Sequence, residues 1–362
     1  MTPPARVRPW LRVLVSAALT FAALAGFGFA ALRMLDGVDA SARLWELSPG
    51  WLAAALAAWS LSVVVQALRL RALVPVRPSP PVAGFVAVVL GSNAVHLALP
   101  GPIAELGAAW ALRQRYGVPM PSALAAALLA RVLALAIFGV VTLAMWPLVA
   151  TRVPAGLSAA LGPLALVTGL AGFGLLGVLA RPVQVVVLAA RLAERLGGVP
   201  VLARHAARFG DRLRWWARCF AAVGGVPMGR WLQAAGLSVV NLAVLTGSAL
   251  LTLRALGIDA DPLGTTFMQA LTAVASVAGL LVPGGLGAVE VLVVLLFPLY
   301  AVGSTADAVV AALLLRAVHL TTLVFGIPAM SWLVATLPED AHARTLAMSD
   351  ALKADLDRVE SG

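Results

Sequence analysis

The chain has 362 residues, 61% of them hydrophobic and only 12% charged, with a mean hydropathy of +0.97. Soluble domains are nearer half apolar and a quarter charged, so the composition excludes an ordinary soluble enzyme or binding module and defines an all-α polytopic membrane protein. The net charge of +10 sits mainly between apolar runs, where it sets orientation and meets lipid headgroups, so no nucleic-acid partner is expected.

The N-terminus has a basic start, a long apolar run and no clear small-residue cleavage site, and reads as an uncleaved first span over 11–32. A second span covers 51–68. The run 82–99, "VAGFVAVVLGSNAVHLAL", is spotted with polar residues and stops at Pro100-Gly101-Pro102. The next apolar run, 103–112, is too short to cross a bilayer at about 1.5 Å per residue. Spans follow at 123–150 and 157–180. Residues 181–230 form a basic, amphipathic segment, and 231–253 is another span. The runs 265–282 and 286–300 flank a second break, Pro283-Gly284-Gly285 with Gly287 just beyond. A last span covers 306–337, and 338–362 is a polar tail.

Arginines set the topology. Arg6, Arg8 and Arg12 place the N-terminus in the cytoplasm, and Arg69, Arg71 and Arg77 flank the cytoplasmic end of the second span. If 82–99 crossed fully and 103–112 did not return, the segment 181–230 would lie outside, with nine arginines against only Glu194 and Asp211. Charge therefore favours a pair that enters, breaks at Pro100–Pro102 and comes back to the cytoplasmic side. The second pair then enters and leaves from outside, and the C-terminus is cytoplasmic. The chain thus reads as about six full spans plus two re-entrant broken helix pairs. It forms one transmembrane domain over 1–337, with halves at about 11–150 and 157–337 related as an inverted repeat, a signature of transporter folds.

Rare residues support the repeat. Pro100-Gly101 and Pro283-Gly284 are offset by 183 positions, as are the two copies of "LRAL" that begin at Leu70 and Leu253. Past the breaks Glu105 maps to Glu290 and Arg131 to Arg316, with 26 positions from Glu to Arg in both halves. A charge near the bilayer centre costs roughly 2.5–3.5 kcal/mol, so four unpaired ones would cost on the order of 10 kcal/mol, comparable to the stability of a domain. They are expected to pair or to line a wet cavity. Two readings follow: a polar site whose arginines engage an anionic headgroup, or two ion pairs that clamp the bundle.

A helix restarting after Pro-Gly carries free N–H groups and partial positive charge, which suits a phosphate or carboxylate. Glu105 and Glu290 in those first turns also stabilise their own helix starts. Asn93 and His96, just before the first break, are candidates to line the cavity or to satisfy freed carbonyls. His319, one turn from Arg316, is a candidate proton relay or a hydrogen-bonded structural residue; Gln269 and Ser276 are similarly ambiguous. The segment 201–223, with Trp215 and Trp216 among arginines, reads as an interfacial helix or as an ordinary positive-inside loop. Cys219 is the single cysteine, so no intrachain disulfide forms and no zinc-binding pair is present. No Walker loop, nucleophile elbow or metal spacing occurs; no metal, cofactor or catalytic residue is expected, and the chain does not read as an enzyme.

The two break motifs together resemble the transmembrane-domain family of lysylphosphatidylglycerol synthases, flippase-like integral membrane proteins. Pro283-Gly284-Gly285-Leu286-Gly287-Ala288-Val289-Glu290 is similar to that family's Pro-Gly-Gly-Leu-Gly-x-x-Glu. "NAVHLALPGPIAELG" resembles its first element, and Arg131 and Arg316 fall where the family has arginines in the spans that follow. Pro102, Ala104 and Ala130 depart from its usual basic, Gly and Glu residues. The resemblance implies movement of a polar or anionic lipid between the leaflets of a bacterial plasma membrane. The chain stops soon after the last span, so the aminoacyltransferase domain fused to some members is not expected. Partners implied are membrane lipids with anionic headgroups, with a second copy of the chain or a lipid-modifying enzyme as a further partner. The alternative is a non-transporting scaffold that recruits a lipid- or glycan-modifying enzyme.

Overall fold

A computed structural model describes residues 46–74, 81–98, 103–153, 155–181, 183–188, 226–278 and 288–335, with positions 191, 219–221 and 223 between them. The first span at 11–32, the tail at 338–362, Trp215, Trp216, and all the break residues (Pro100, Gly101, Pro102, Pro283, Gly284, Gly285 and Gly287) lie outside the described residues.

Nine α-helices are found among the described residues: α1 (Pro49–Leu73), α2 (Val82–Ala98), α3 (Ile103–Tyr116), α4 (Met120–Ala150), α5 (Ala155–Ala180), α6 (Met228–Ala255), α7 (Pro262–Ala278), α8 (Ala288–Tyr300) and α9 (Thr305–Ala335). Five are long and apolar enough to cross a membrane: α1, α4, α5, α6 and α9. The protein is an all-α polytopic membrane protein. Proline marks the helix starts, at Pro49, Pro81, Pro119, Pro227 and Pro262, where its missing N–H costs nothing. Two helices end on a left-handed glycine. Gly117 (φ 65°) donates to the Arg113 carbonyl at 2.9 Å after α3, and Gly257 (φ 71°) donates to that of Arg254 at 3.0 Å after α6. Several hydroxyls inside the helices donate to their own preceding turn, as Thr142 does to Phe138 and Thr272 to Met268, each at 2.8 Å, so these add no unmet polar group in lipid.

Both short pairs return to the side they came from. At the open end of α7 and α8, Asp261 N donates to Tyr300 O at 2.7 Å, and Ala260 bridges Ala301. At the open end of α2 and α3, Phe85 stacks on Tyr116 with ring centroids 6.4 Å apart. The chain's two tyrosines thus end the two return helices, and each packs on a glycine near the start of its partner. A Cβ on Gly84 would lie 1.7 Å from the Tyr116 hydroxyl, and one on Gly264 would lie 2.3 Å from the Leu299 carbonyl oxygen. A backbone oxygen cannot swing aside. Gly264→Ala is therefore expected to cost about 1–3 kcal/mol by overpacking. Gly107→Ala, on α3 with nothing within 4 Å, is expected to be neutral or stabilising. Thermal melting of the two purified variants in one detergent checks this.

Helix contacts repeat across the halves. α1 packs on α6, its expected counterpart. α2 packs on α9 as α7 packs on α4, α3 on α4 as α8 on α9, and α1 on α2 as α6 on α7. Helix ends predicted to share a side also share an end of the bundle. Ser48 N donates to Ala255 O at 3.0 Å, Arg152 pairs with Asp261 at 2.8 Å, and Arg254 lies over Trp51 at 5.5 Å. At the other end Arg115 lies over Trp332 at 4.1 Å. Such arginine–aromatic contacts suit the polar–apolar boundary of a bilayer.

The apolar core is split accordingly. One cluster gathers Leu73, Phe85, Leu112, Val118, Leu124 and Val226 around the open end of the first pair. A second gathers Leu253, Phe267, Leu296, Phe297, Tyr300 and Leu315 around the second pair. Between them the polar residues meet.

Candidate functional site

The carboxylates sit where the sequence places them, in the first turn after each break: Glu105 on α3 and Glu290 on α8. Each meets the arginine 26 positions on. Arg131 on α4 bonds Glu105, and Arg316 Nε on α9 lies 3.1 Å from Glu290 Oε1. The spacing works because each return helix packs antiparallel against the following span, which brings a first-turn residue beside one near that span's middle.

The two pairs are not equivalent. Arg316 and Glu290 are sealed, with side-chain exposures of 8% and 10%. Arg131 is 28% exposed, and its second terminal nitrogen lies 3.0 Å from His96 Nε2. A guanidinium only donates, so His96 accepts through Nε2 and carries its ring proton on Nδ1. That Nδ1 is buried and has no partner among the described residues, and neither does Glu105 Oε2.

One cavity of about 350 Å³ runs between the two core clusters. This is the size of a small-ligand site. All seven described candidates border it: Asn93, His96, Glu105, Arg131, Glu290, Arg316 and His319. Asn93 donates to Gln66 at 3.3 Å, across the gap from α2 to α1. His319 Nδ1 lies 2.7 Å from the Leu315 carbonyl, and its ring stands edge-on to Trp59 with centroids 6.1 Å apart. Gln269, which bonds the Leu245 carbonyl at 3.4 Å, and Ser276 also border the cavity.

Arg69 is a correction. The apolar run ends at Leu68, which predicts Arg69 in the cytoplasmic flank. The helix instead continues to Leu73, and Arg69 is buried, bordering the cavity. A signal for this exists: Trp59, Ser62, Gln66 and Arg69 recur at helical spacing along one face of α1. Asn241 on α6 also borders the cavity, and its signal is of the same kind: Ser238, Asn241, Ser248 and Thr252 recur at helical spacing along one buried face.

Two short helix pairs around a buried, charge-lined cavity define the centre of a polytopic membrane protein. The family described as lysylphosphatidylglycerol synthase TM region matches residues 10–326, and the chain belongs to it. Among curated proteins, none matches the chain significantly.

Proposed function

We infer that the protein is a flippase-like transporter that moves an anionic phospholipid between the leaflets of a bacterial plasma membrane, with both termini in the cytoplasm. Membership of a family of lipid-related membrane proteins supports this reading. The observation that carries it is the cavity, polar and charged at mid-bundle, bordered by residues of both broken pairs. Charge buried in a transmembrane bundle is retained where polar cargo passes, and the half-open first pair and the sealed second pair suit different tasks. Glu290–Arg316 holds the second return helix to α9 as a clamp. Glu105–Arg131–His96 is the gate: a headgroup phosphate competes with Glu105 for Arg131, and the freed carboxylate takes a proton or a donor from the cargo. Nothing in this cycle needs a catalytic residue, so the protein acts as a carrier rather than an enzyme.

Reconstitution tests the reading. In vesicles carrying a tail-labelled anionic phospholipid, the protein is expected to make the inner-leaflet probe accessible to an external quencher at least tenfold faster than empty vesicles do. No acceleration across anionic and zwitterionic probes would favour the scaffold, which meets an enzyme through the basic segment 181–230.

A further inference from the structure

Among the described residues the cavity is not neutral. The two ion pairs cancel, but Arg69 borders the same space with no carboxylate partner among the described residues. Its exposure is 8%, and its Nε and Nη1 are buried without a hydrogen-bond partner among the described residues. Three arginines against two glutamates leave one positive charge among the described residues of the site. The corresponding position of the second half, by the offset of 183, is Thr252, whose hydroxyl is tied to the Ser248 carbonyl at 2.8 Å. The cation therefore belongs to one end of the cavity only.

An unpaired guanidinium in a low-dielectric site is costly unless an anion completes it. Its flat fork matches phosphate oxygens. The acceptors are also unmet: Glu105 Oε2 and Asn241 Oδ1 are buried without partners among the described residues. A cargo that satisfies the cavity thus brings one net negative charge on acceptor oxygens and, near them, donor groups such as hydroxyls. A zwitterionic headgroup brings no net charge and leaves Arg69 uncompensated.

We propose that Arg69 is the anchor for a phosphodiester, and that the cavity selects a monoanionic phosphodiester with a hydroxylated headgroup over a zwitterionic one. Arg131 stays with Glu105 until the cargo arrives, so Arg69 makes the first contact. The proposal rests on the transport reading for its lipid source but not for its chemistry.

The test separates the two. Full-length protein is reconstituted with identically tail-labelled phosphatidylglycerol and phosphatidylcholine. Wild type is expected to exchange the first at least tenfold faster than the second. Arg69→Gln is expected to bring the two rates within about twofold, and Arg69→Lys to restore part of the preference. Because Arg69→Gln removes an uncompensated buried charge, it is expected to melt no lower than wild type. Equal rates for both lipids in wild type, or an unchanged preference in Arg69→Gln, would overturn the anchor and leave transport standing.

If wild type moves neither lipid, the transport reading fails, and the anchor is read by binding instead. Short-chain phosphatidylglycerol is expected to raise the melting temperature of wild type saturably and not that of Arg69→Gln; no rise, or an equal rise in both, would sink it. A rise of the same size with glycerophosphoglycerol would support the anchor while making a soluble phosphodiester the ligand.

Discussion

Arg316→Ala is expected to lower the stability of the protein by about 3–5 kcal/mol, the largest loss of any single substitution in the cavity. The cause is what remains rather than what is removed. Glu290 is almost sealed from solvent beside Arg316, and truncating Arg316 removes the cation that balances its charge between α8 and α9. Replacing both partners with uncharged groups of similar size, Glu290→Gln with Arg316→Met, is expected to recover most of the loss, because a buried pair roughly balances its own desolvation. Melting of the two single variants and the double variant in lipid nanodiscs checks this. Single-variant losses below about 1 kcal/mol, the size of an ordinary surface change, would mean that Glu290 finds another partner and that the pair is no clamp.

Glu105→Gln is expected to behave differently. Exchange of anionic lipid falls at least about tenfold, equivalent to about 1.4 kcal/mol in barrier height, while the melting temperature falls less than for Arg316→Ala. The first pair faces the cavity, and Arg131 keeps 28% of its side chain exposed there, so water and His96 continue to solvate its charge. What disappears is the carboxylate proposed to alternate with cargo for the guanidinium. If Glu105→Gln destabilised as strongly as Arg316→Ala and left the exchange rate per folded molecule unchanged, the division into gate and clamp would be reversed.

The fold was legible because two independent regularities agreed. Arginine distribution required the runs 82–99 and 103–112 to return to one side, and the structure closes that pair at Phe85 and Tyr116. The Glu-to-Arg spacing of 26 marked matching turns in both halves, and both spacings become ion pairs. Arg69 was not read correctly because the positive-inside rule explained it too well. Three arginines after an apolar run are what a cytoplasmic flank looks like, and only the phase of Ser62, Gln66 and Arg69 tells the buried one from its neighbours. The inequality of the two pairs was also hidden. It depends on how closely α9 and α4 pack over each carboxylate, which similar motifs do not encode. Asn93, His96 and His319 fell in the cavity as candidates. Their hydrogen bonds differ: His96 meets Arg131, and His319 meets a carbonyl of its own helix.

The central claim is that cargo passes through the cavity between the two broken pairs. It is tested most directly by plugging that space. In a Cys219→Ala background, Ser276→Cys places one thiol on the cavity wall. Modification with a bulky, charged methanethiosulfonate reagent is expected to cut exchange of phosphatidylglycerol at least tenfold, and reduction is expected to restore it. Undiminished exchange by protein shown by mass to be fully modified would contradict the account.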